Sequence, residues 1–494
     1  MIATDLPRAS PGRVNSDQGL DGLLAEQAWR DGDITAAVEA ADRALSSGHD
    51  PDSLAAGVAA AAAAADGALF DSATRWRGVA ATLDGAPGAL AGGRGALAAS
   101  LAGDVETAGM DLDNARQKLT GAAPRGLSVL LDGVGATLAA TRGEFEMAAR
   151  RLAGLAVATV PADPMAAERW DDLAVTVVVA AGADATAWDM LTAHPDRPHT
   201  TRSRMLKSWL DLRAGRLADA RAGLAAAGGR PILRRDAVLA AAVTVGLARR
   251  AGDDEALRSA WHRVAPVLAG ADVELMLLDV WGELSAAAAI VAPVERDTIV
   301  AIMSAAVARA GGPSWGAATL AWWALQRAVV TGEPSAAEAA AERLADLAAT
   351  DRRGAVRAAA ARVWASILAG DVDARAVRAA AEALADSGQP WEAVALCGAA
   401  AAKLTEPTAV REVLATGRTL RAALATEDRG AVGGLSKRER SVGELLLDGL
   451  TQKEIGARLY ISPKTVEQHV ARLRQKLVAG NRAELVAALR AKLA

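Results

Sequence analysis

Cysteine occurs once in the 494 residues, at Cys397, which excludes a disulfide framework and a cysteine-built zinc site and fits a reducing compartment. Aromatic residues are only 3% of the chain, and strand formers are too sparse for a large sheet, so the expected fold class is all-α. No uncharged apolar stretch approaches the roughly 18 residues that a membrane span requires, and the apolar run from Ala59 to Ala65 is far too short. The opening residues, MIATDLPRASPGRVNSDQGL, lack the apolar core of a secretion signal, so a cytoplasmic protein with no membrane partner is expected. Neither a phosphate-cradling G-x-x-x-x-G-K-[ST] loop nor G-x-S-x-G, H-E-x-x-H or a dinucleotide fingerprint is present. The expectation is therefore a protein that is not an enzyme, with no catalytic residues, cofactor or metal.

What the chain has in excess is alanine, a strong helix former, with arginine far above lysine; together they suggest a GC-rich bacterial source. Charge is unevenly placed. From Gly433 onward twelve Lys/Arg face six Asp/Glu, about +6, which leaves about −10 on the first 432 residues. A basic module on an acidic body is an electrostatic footprint for nucleic acid. The aperiodic residues 1–20 read as a disordered tail, 21–425 as a helical-repeat sensing or interaction body, 426–434 as a linker and 435–494 as a separate small domain.

The body's repeat shows in its glycines. A Gly-Asp turn precedes the amphipathic segment ITAAVEAADRAL, and similar turns recur at Gly67, Gly103, Gly143, Gly182, Gly215, Gly252, Gly332 and Gly370, spaced by 33 to 40 residues with one double gap. Alanine follows five positions later in six of the nine, at Ala37, Ala108, Ala148, Ala187, Ala220 and Ala337. The pattern predicts one helical hairpin per repeat, with glycine in the turn and a small residue where the helices approach. GDITAAVEAADRAL resembles the second helix of a tetratricopeptide repeat, which implies an α-α superhelix with a concave face for a protein or small-molecule effector. All twelve tryptophans lie between Trp29 and Trp391 and read as packing between repeats, with an aromatic ligand pocket around Trp315, Trp322 and Trp323 as the other reading. His194 and His199 read as exposed loop residues rather than a metal pair, and the acidic pairs Asp171/Asp172 and Asp253/Asp254 as solvated faces and caps.

The sharper signal is at the other end. After the linker, Ser436 with Glu439, Thr451 with Glu454 and Asn481 with Glu484 each place a capping residue three before a Glu, and Ser462 stands before Pro463. Four helices are predicted, over 436–448, 452–459, 463–477 and 482–493. Ile455 and Leu459 form one apolar stripe; Val466, Val470, Leu473 and Leu477 lie within about 60° of one another on the third helix and face the same small core. A short helix joined by a three-residue turn to a longer amphipathic helix is a helix-turn-helix, whose second helix enters the DNA major groove. Its outer face carries Lys464, Gln468, Ala471 and Gln475, flanked by Glu467 and Arg472. Gln468 suits adenine N6 and N7, and Glu467 suits cytosine N4, although Glu467 could equally pair with Arg474 or Lys464 along the helix. Lys453, Lys464, Thr465, His469, Arg472, Arg474 and Lys476 are candidates for phosphate contacts, which position without reading sequence.

LSKRE, LLLDGLTQKEIGARLYIS and SPKTVEQHV closely resemble the DNA-binding domain of the LuxR family, also called the GerE or FixJ-type domain. The resemblance covers about 60 residues. It implies a transcription regulator, favouring an activator, and a four-helix domain that dimerises through its last helix on a pseudo-palindromic operator in double-stranded DNA. A nucleoid-associated location follows. Family members often have lysine where this chain has Glu467 and Ala471, so base preference does not carry over. The body lacks the α/β pattern of a phospho-receiver, the sheet of an autoinducer module and the ATPase of the large ATP-dependent members. Its expected role is to sense a signal without nucleotide hydrolysis. The other reading is a helical-repeat scaffold whose basic module docks on protein.

Overall fold

The computed structural model describes residues 20–48, 50, 52–157, 163–192, 200–227, 233–348, 353–430, 437–447, 449–459, 463–477, 479 and 482–493. Among these the chain is all-α, with no strand. The body is a series of helical pairs. The first six are α1/α2 (Leu20–Asp31, Ile34–Ser47), α3/α4 (Leu54–Ala65, Leu69–Thr82), α5/α6 (Gly85–Leu101, Val105–Gln117), α7/α8 (Arg125–Thr141, Phe145–Ala156), α9/α10 (Trp170–Ala180, Asp184–Thr192) and α11/α12 (Thr201–Arg213, Leu217–Ala227). Five more follow: α13/α14 (Arg234–Ala251, Asp254–Leu268), α15/α16 (Leu278–Val291, Pro293–Arg309), α17/α18 (Ser314–Thr331, Pro334–Asp346), α19/α20 (Gly354–Ala369, Ala374–Asp386) and α21/α22 (Pro390–Ala401, Pro407–Gly430). The terminal domain is α23 (Lys437–Leu447), α24 (Gln452–Leu459), α25 (Pro463–Lys476) and α26 (Arg482–Leu493). Helix α22 runs through Gly430, so the first part of the segment expected to be a linker, 426–430, is helical. The residues expected to be a tail, up to position 19, and the pair His194 and His199 lie outside the described residues.

Each of the nine turn glycines has a left-handed φ, between 70° and 92°. The residue after most of them closes the turn by donating its N–H to a carbonyl five residues back, as Asp104 does to Ala99 (2.9 Å) and Glu333 to Ala328 (2.9 Å). That bond satisfies a carbonyl that the helix end would otherwise orphan, in the manner of a Schellman cap. Five residues beyond the glycine, Ala37, Ala108, Ala148, Ala187, Ala220 and Ala337 are all fully buried. In the Gly370 pair the cap residue is Asp373, two positions later than usual, and the buried position slides with it from Arg375 to Val377. The double gap in the glycine series is filled by α15 and α16, which reverse at Ala292 (φ −149°) with Pro293 opening the next helix. The paired helices are compatible with the tetratricopeptide-like reading.

Pairs far apart in sequence also touch. Gly67 accepts the Asp272 amide (2.9 Å) and Thr141 accepts the Trp315 indole N–H (3.0 Å), so early hairpin turns sit against late helices. Within this interior α15 is buried without a gap from Leu278 to Ala289, which fills space that an open concave face would have left accessible. Trp315, Trp322 and Trp323 pack in the interior: all are at most 5% exposed, and the Trp323 indole donates to Asp279 (2.8 Å). Asp253 caps α14 as expected, accepting from the Glu255 and Ala256 amides (both 3.0 Å). Asp172 is a correction. It is buried, accepts the Thr200 hydroxyl (2.8 Å), and is pushed up to about 7 by burial and by the neighbouring Glu168 and Asp171. Asp171 instead pairs with Arg169 (3.0 Å).

Charged seams join distant repeats. Asp279 on α15 meets Arg213 (2.7 Å) and Arg353 (3.5 Å), and Arg353 also reaches Asp184 (2.7 Å), 169 residues away. Burial would raise the Asp279 carboxyl, but Arg213, Arg357 and Arg353 hold it well below the usual carboxylate range. Gly182 leaves room for this seam: a Cβ there would lie 2.6 Å from Arg353 Nε, whereas a Cβ on Gly332 would meet nothing within 4 Å. Gly332→Ala should therefore cost only the left-handed strain, about 1–2 kcal/mol. Gly182→Ala should cost about 3 kcal/mol or more, because the displaced guanidinium is buried and paired. Chemical denaturation of the two variants tests this, and equal losses would show that Arg353 yields freely.

Candidate nucleic-acid interface

The terminal domain is built around one small core. Val442 and Leu446 on α23, Ile455 on α24, Val466, Val470 and Leu473 on α25, and Leu485 and Leu489 on α26 are all buried and in mutual contact, with Leu477 packed at the margin. The observed helices begin and end within one residue of those expected. Gly449 (φ 85°) reverses the chain after α23, with Leu450 donating to the Leu445 carbonyl (3.1 Å). Thr451 then starts α24 through a reciprocal cap. The Thr451 amide donates to Glu454 Oε2 (2.8 Å), and the Glu454 amide donates back to Thr451 Oγ1 (3.3 Å). Those bonds from Thr451 hold the Glu454 carboxyl below its ordinary range. The other capping residues, Ser436, Ser462 and Asn481, lie outside the described residues.

Helix α25 packs on α23 and α24 through one stripe, Val466, Val470 and Leu473. At 100° per residue, Glu467, Ala471 and Arg474 fall on one flank of that stripe, and all three are exposed. His469, on the opposite flank, is half-buried. Lys453 is exposed in the first turn of α24. Lys464, Thr465, Gln468, Arg472, Gln475 and Lys476 take their places along α25, but their side chains lie outside the described residues. So the helix separates a packing face from a free one, and the candidate residues with described side chains stand on the free side, His469 partly so. A longer helix presented in this way three residues beyond a short one has the arrangement of a major-groove reader.

Residues 434–489 match bacterial regulatory proteins of the luxR family. The chain is 47% identical over 55 residues to the spore germination protein GerE of Bacillus subtilis, covering 74% of that protein and 11% of this chain. This chain belongs to the LuxR family. Residues 434–489 thus carry a helix-turn-helix domain of the kind found in DNA-binding transcription regulators. Over 51 residues it is also 53% identical to the transcriptional regulatory protein UhpA of Escherichia coli, but spans only 26% of that protein's length. The matches take in 10–11% of this chain.

The sequence reading found the LuxR-type helices and missed the buried arginines of the body. Arg213, Arg353 and Arg357 sit in segments that read as ordinary amphipathic helices, and only an arginine at an otherwise apolar helical position could have signalled them. The Thr451 cap gives a direct test of the terminal domain's construction. Thr451→Ala should cost about 1 kcal/mol of domain stability while leaving the salt dependence of DNA binding unchanged. A changed salt slope would place Thr451 on the DNA rather than at the helix end.

Proposed function

We propose that this regulator binds a pseudo-palindromic site as a homodimer through α26, reads bases with the exposed side of α25, and is controlled by a signal taken up by the helical-pair body without nucleotide hydrolysis. The observation that carries the DNA reading is the division of α25 into a buried stripe and an exposed flank. Activation is the favoured outcome, by analogy with the family. Gln468 and Glu467 are assigned to bases in the first turns of the helix. Lys453, Lys464, Thr465, His469, Arg472, Arg474 and Lys476 are assigned to backbone, while Ala471 and Gln475 line the same groove.

The division of labour is measurable. Gln468→Ala should cost on the order of 1–3 kcal/mol on the preferred site and relax preference at one position. Arg472→Ala should weaken all sequences alike and flatten the slope of log affinity against log salt by about one. Binding to matched and shuffled duplexes at several salt concentrations separates the two, provided both variants keep their helical circular dichroism. Unchanged preference in the first, or an unchanged slope in the second, would reassign the residues.

Opposite charge also makes the body a candidate cover for the DNA face. At about −10 against about +6, the two parts attract when no signal intervenes. Fragment 433–494 should then bind the operator more tightly than the full chain at fixed salt. With dimerisation measured separately, equal affinities would dismiss the occlusion.

A further inference from the structure

One cleft in the body matches a small ligand in size and chemistry. It has a volume of about 800 Å³ and lies between α5, the start of α7, the end of α8 and the segment from Asp163 to Asp171. That volume falls within the range of small-molecule sites. Its walls are mainly apolar, with Leu90, Leu127, Val129, Leu130 and Leu155 facing Trp170. The Trp170 indole rests on Gly133, where a Cβ would come within 2.4 Å of the ring. The aromatic wall is therefore seated on backbone rather than on a movable side chain.

Charge decides the class of ligand. Two lining arginines are already committed: Arg94 grips Asp163 with two bonds (2.7 and 2.8 Å) and Arg169 grips Asp171 with two (3.0 and 3.1 Å). The remaining lining carboxylate, Glu168, is held from behind by Arg202 (2.8 Å) and Arg235 (3.0 Å). Those same two guanidiniums must also serve Glu274 and Asp236. Asp172, buried beside Glu168, accepts the Thr200 hydroxyl and also feels the Arg202 charge. Asp172, pushed up to about 7, carries only part of a charge at neutral pH, so behind the cleft floor Glu168, Glu274 and Asp236 share two guanidiniums, while the lining pairs cancel one another. That leaves one carboxylate more than guanidiniums, a small net negative charge behind the cleft.

We infer that this cleft binds a small organic cation, an amine with an apolar or aromatic body, whose charge faces the Glu168 floor and whose body lies against Trp170 and the leucines. A cation over an aromatic face in a partly desolvated site gains from both the ring and the carboxylates. A carboxylate ligand would meet the same field with the wrong sign. A neutral ligand of the same shape keeps only the apolar contact. The inference deepens the sensing role proposed for the body and depends on it only for the link to DNA.

Calorimetric titration of the full-length protein with 2-phenylethylamine, 2-phenylethanol and phenylacetate tests it, since the three share one ring and differ in charge. The amine should bind roughly tenfold more tightly than the alcohol, and phenylacetate should show no binding. Val129→Trp fills the cleft from a half-buried position and should abolish amine binding with the melting temperature retained. Asp171→Asn is the milder variant: it frees the Arg169 charge and should weaken the amine while sparing the alcohol. Equal affinity for all three probes, no amine binding, or amine binding untouched by both substitutions overturns the assignment. Operator affinity measured with and without the amine is read separately. Binding that leaves it unchanged removes the sensing role and leaves the cleft's ligand class standing.

Discussion

Reversal of the chain within one left-handed residue is the constraint on which the body depends. An alanine side chain buries little apolar area, so a helix rich in alanine gains stability chiefly by letting another backbone come close. Close approach is possible only if the connection between the helices is short. Glycine at φ 70–92° supplies such a connection nine times, and the fully buried alanines five residues later mark where the second helix meets the first. Where glycine is absent, between α15 and α16 and between α21 and α22, a proline opens the next helix, Pro293 in the first and Pro407 in the second. The scarcity of large aromatics and the abundance of alanine are therefore one design: thin helices, short turns and narrow spacing.

Thin helices create a second problem, because alanine faces fit one another in several registers. Large groups placed at the seams select one. Trp209, Trp281 and Trp322 are among the largest fully buried side chains, and arginine–carboxylate clusters join pairs far apart in sequence. Glu283 on α15, fully buried, takes two bonds from Arg249 (2.8 and 3.1 Å) and one from Arg250 (2.9 Å). A buried pair of this kind adds little net stability against an apolar substitute, but separating its members costs about 3–5 kcal/mol. Any slip of one pair against the next would separate them. The network thus penalises wrong registers more than it strengthens the right one.

These two features differed in how far the sequence revealed them. The turn glycines and the alanines that follow recur at a spacing visible by eye, because the constraint acts between neighbours in the chain. The Thr451–Glu454 cap and the Val466, Val470 and Leu473 stripe were legible for the same reason: each is a relation over three to seven residues. Asp172 was not, since its burial is decided by Glu168 and by Thr200, which lies 28 residues away. Nor were the contacts between distant pairs, such as that between Thr141 and Trp315, 174 residues apart. The cleft lined by Leu90, Val129 and Trp170 is likewise assembled from four separate elements, none of which carries a motif.

The terminal domain shows the same separation within one helix. Val466, Val470 and Leu473 answer to the core and tolerate little change, whereas Glu467, Ala471 and Arg474 stand exposed and carry no packing duty. Substitution on the exposed flank should leave the fold intact, because no core contact depends on it. Identity of about half the residues to GerE and UhpA over this region is therefore compatible with a shared scaffold and a different operator. A change confined to that flank alters what the helix presents without disturbing the core, so similarity over the domain does not carry a base preference to this chain.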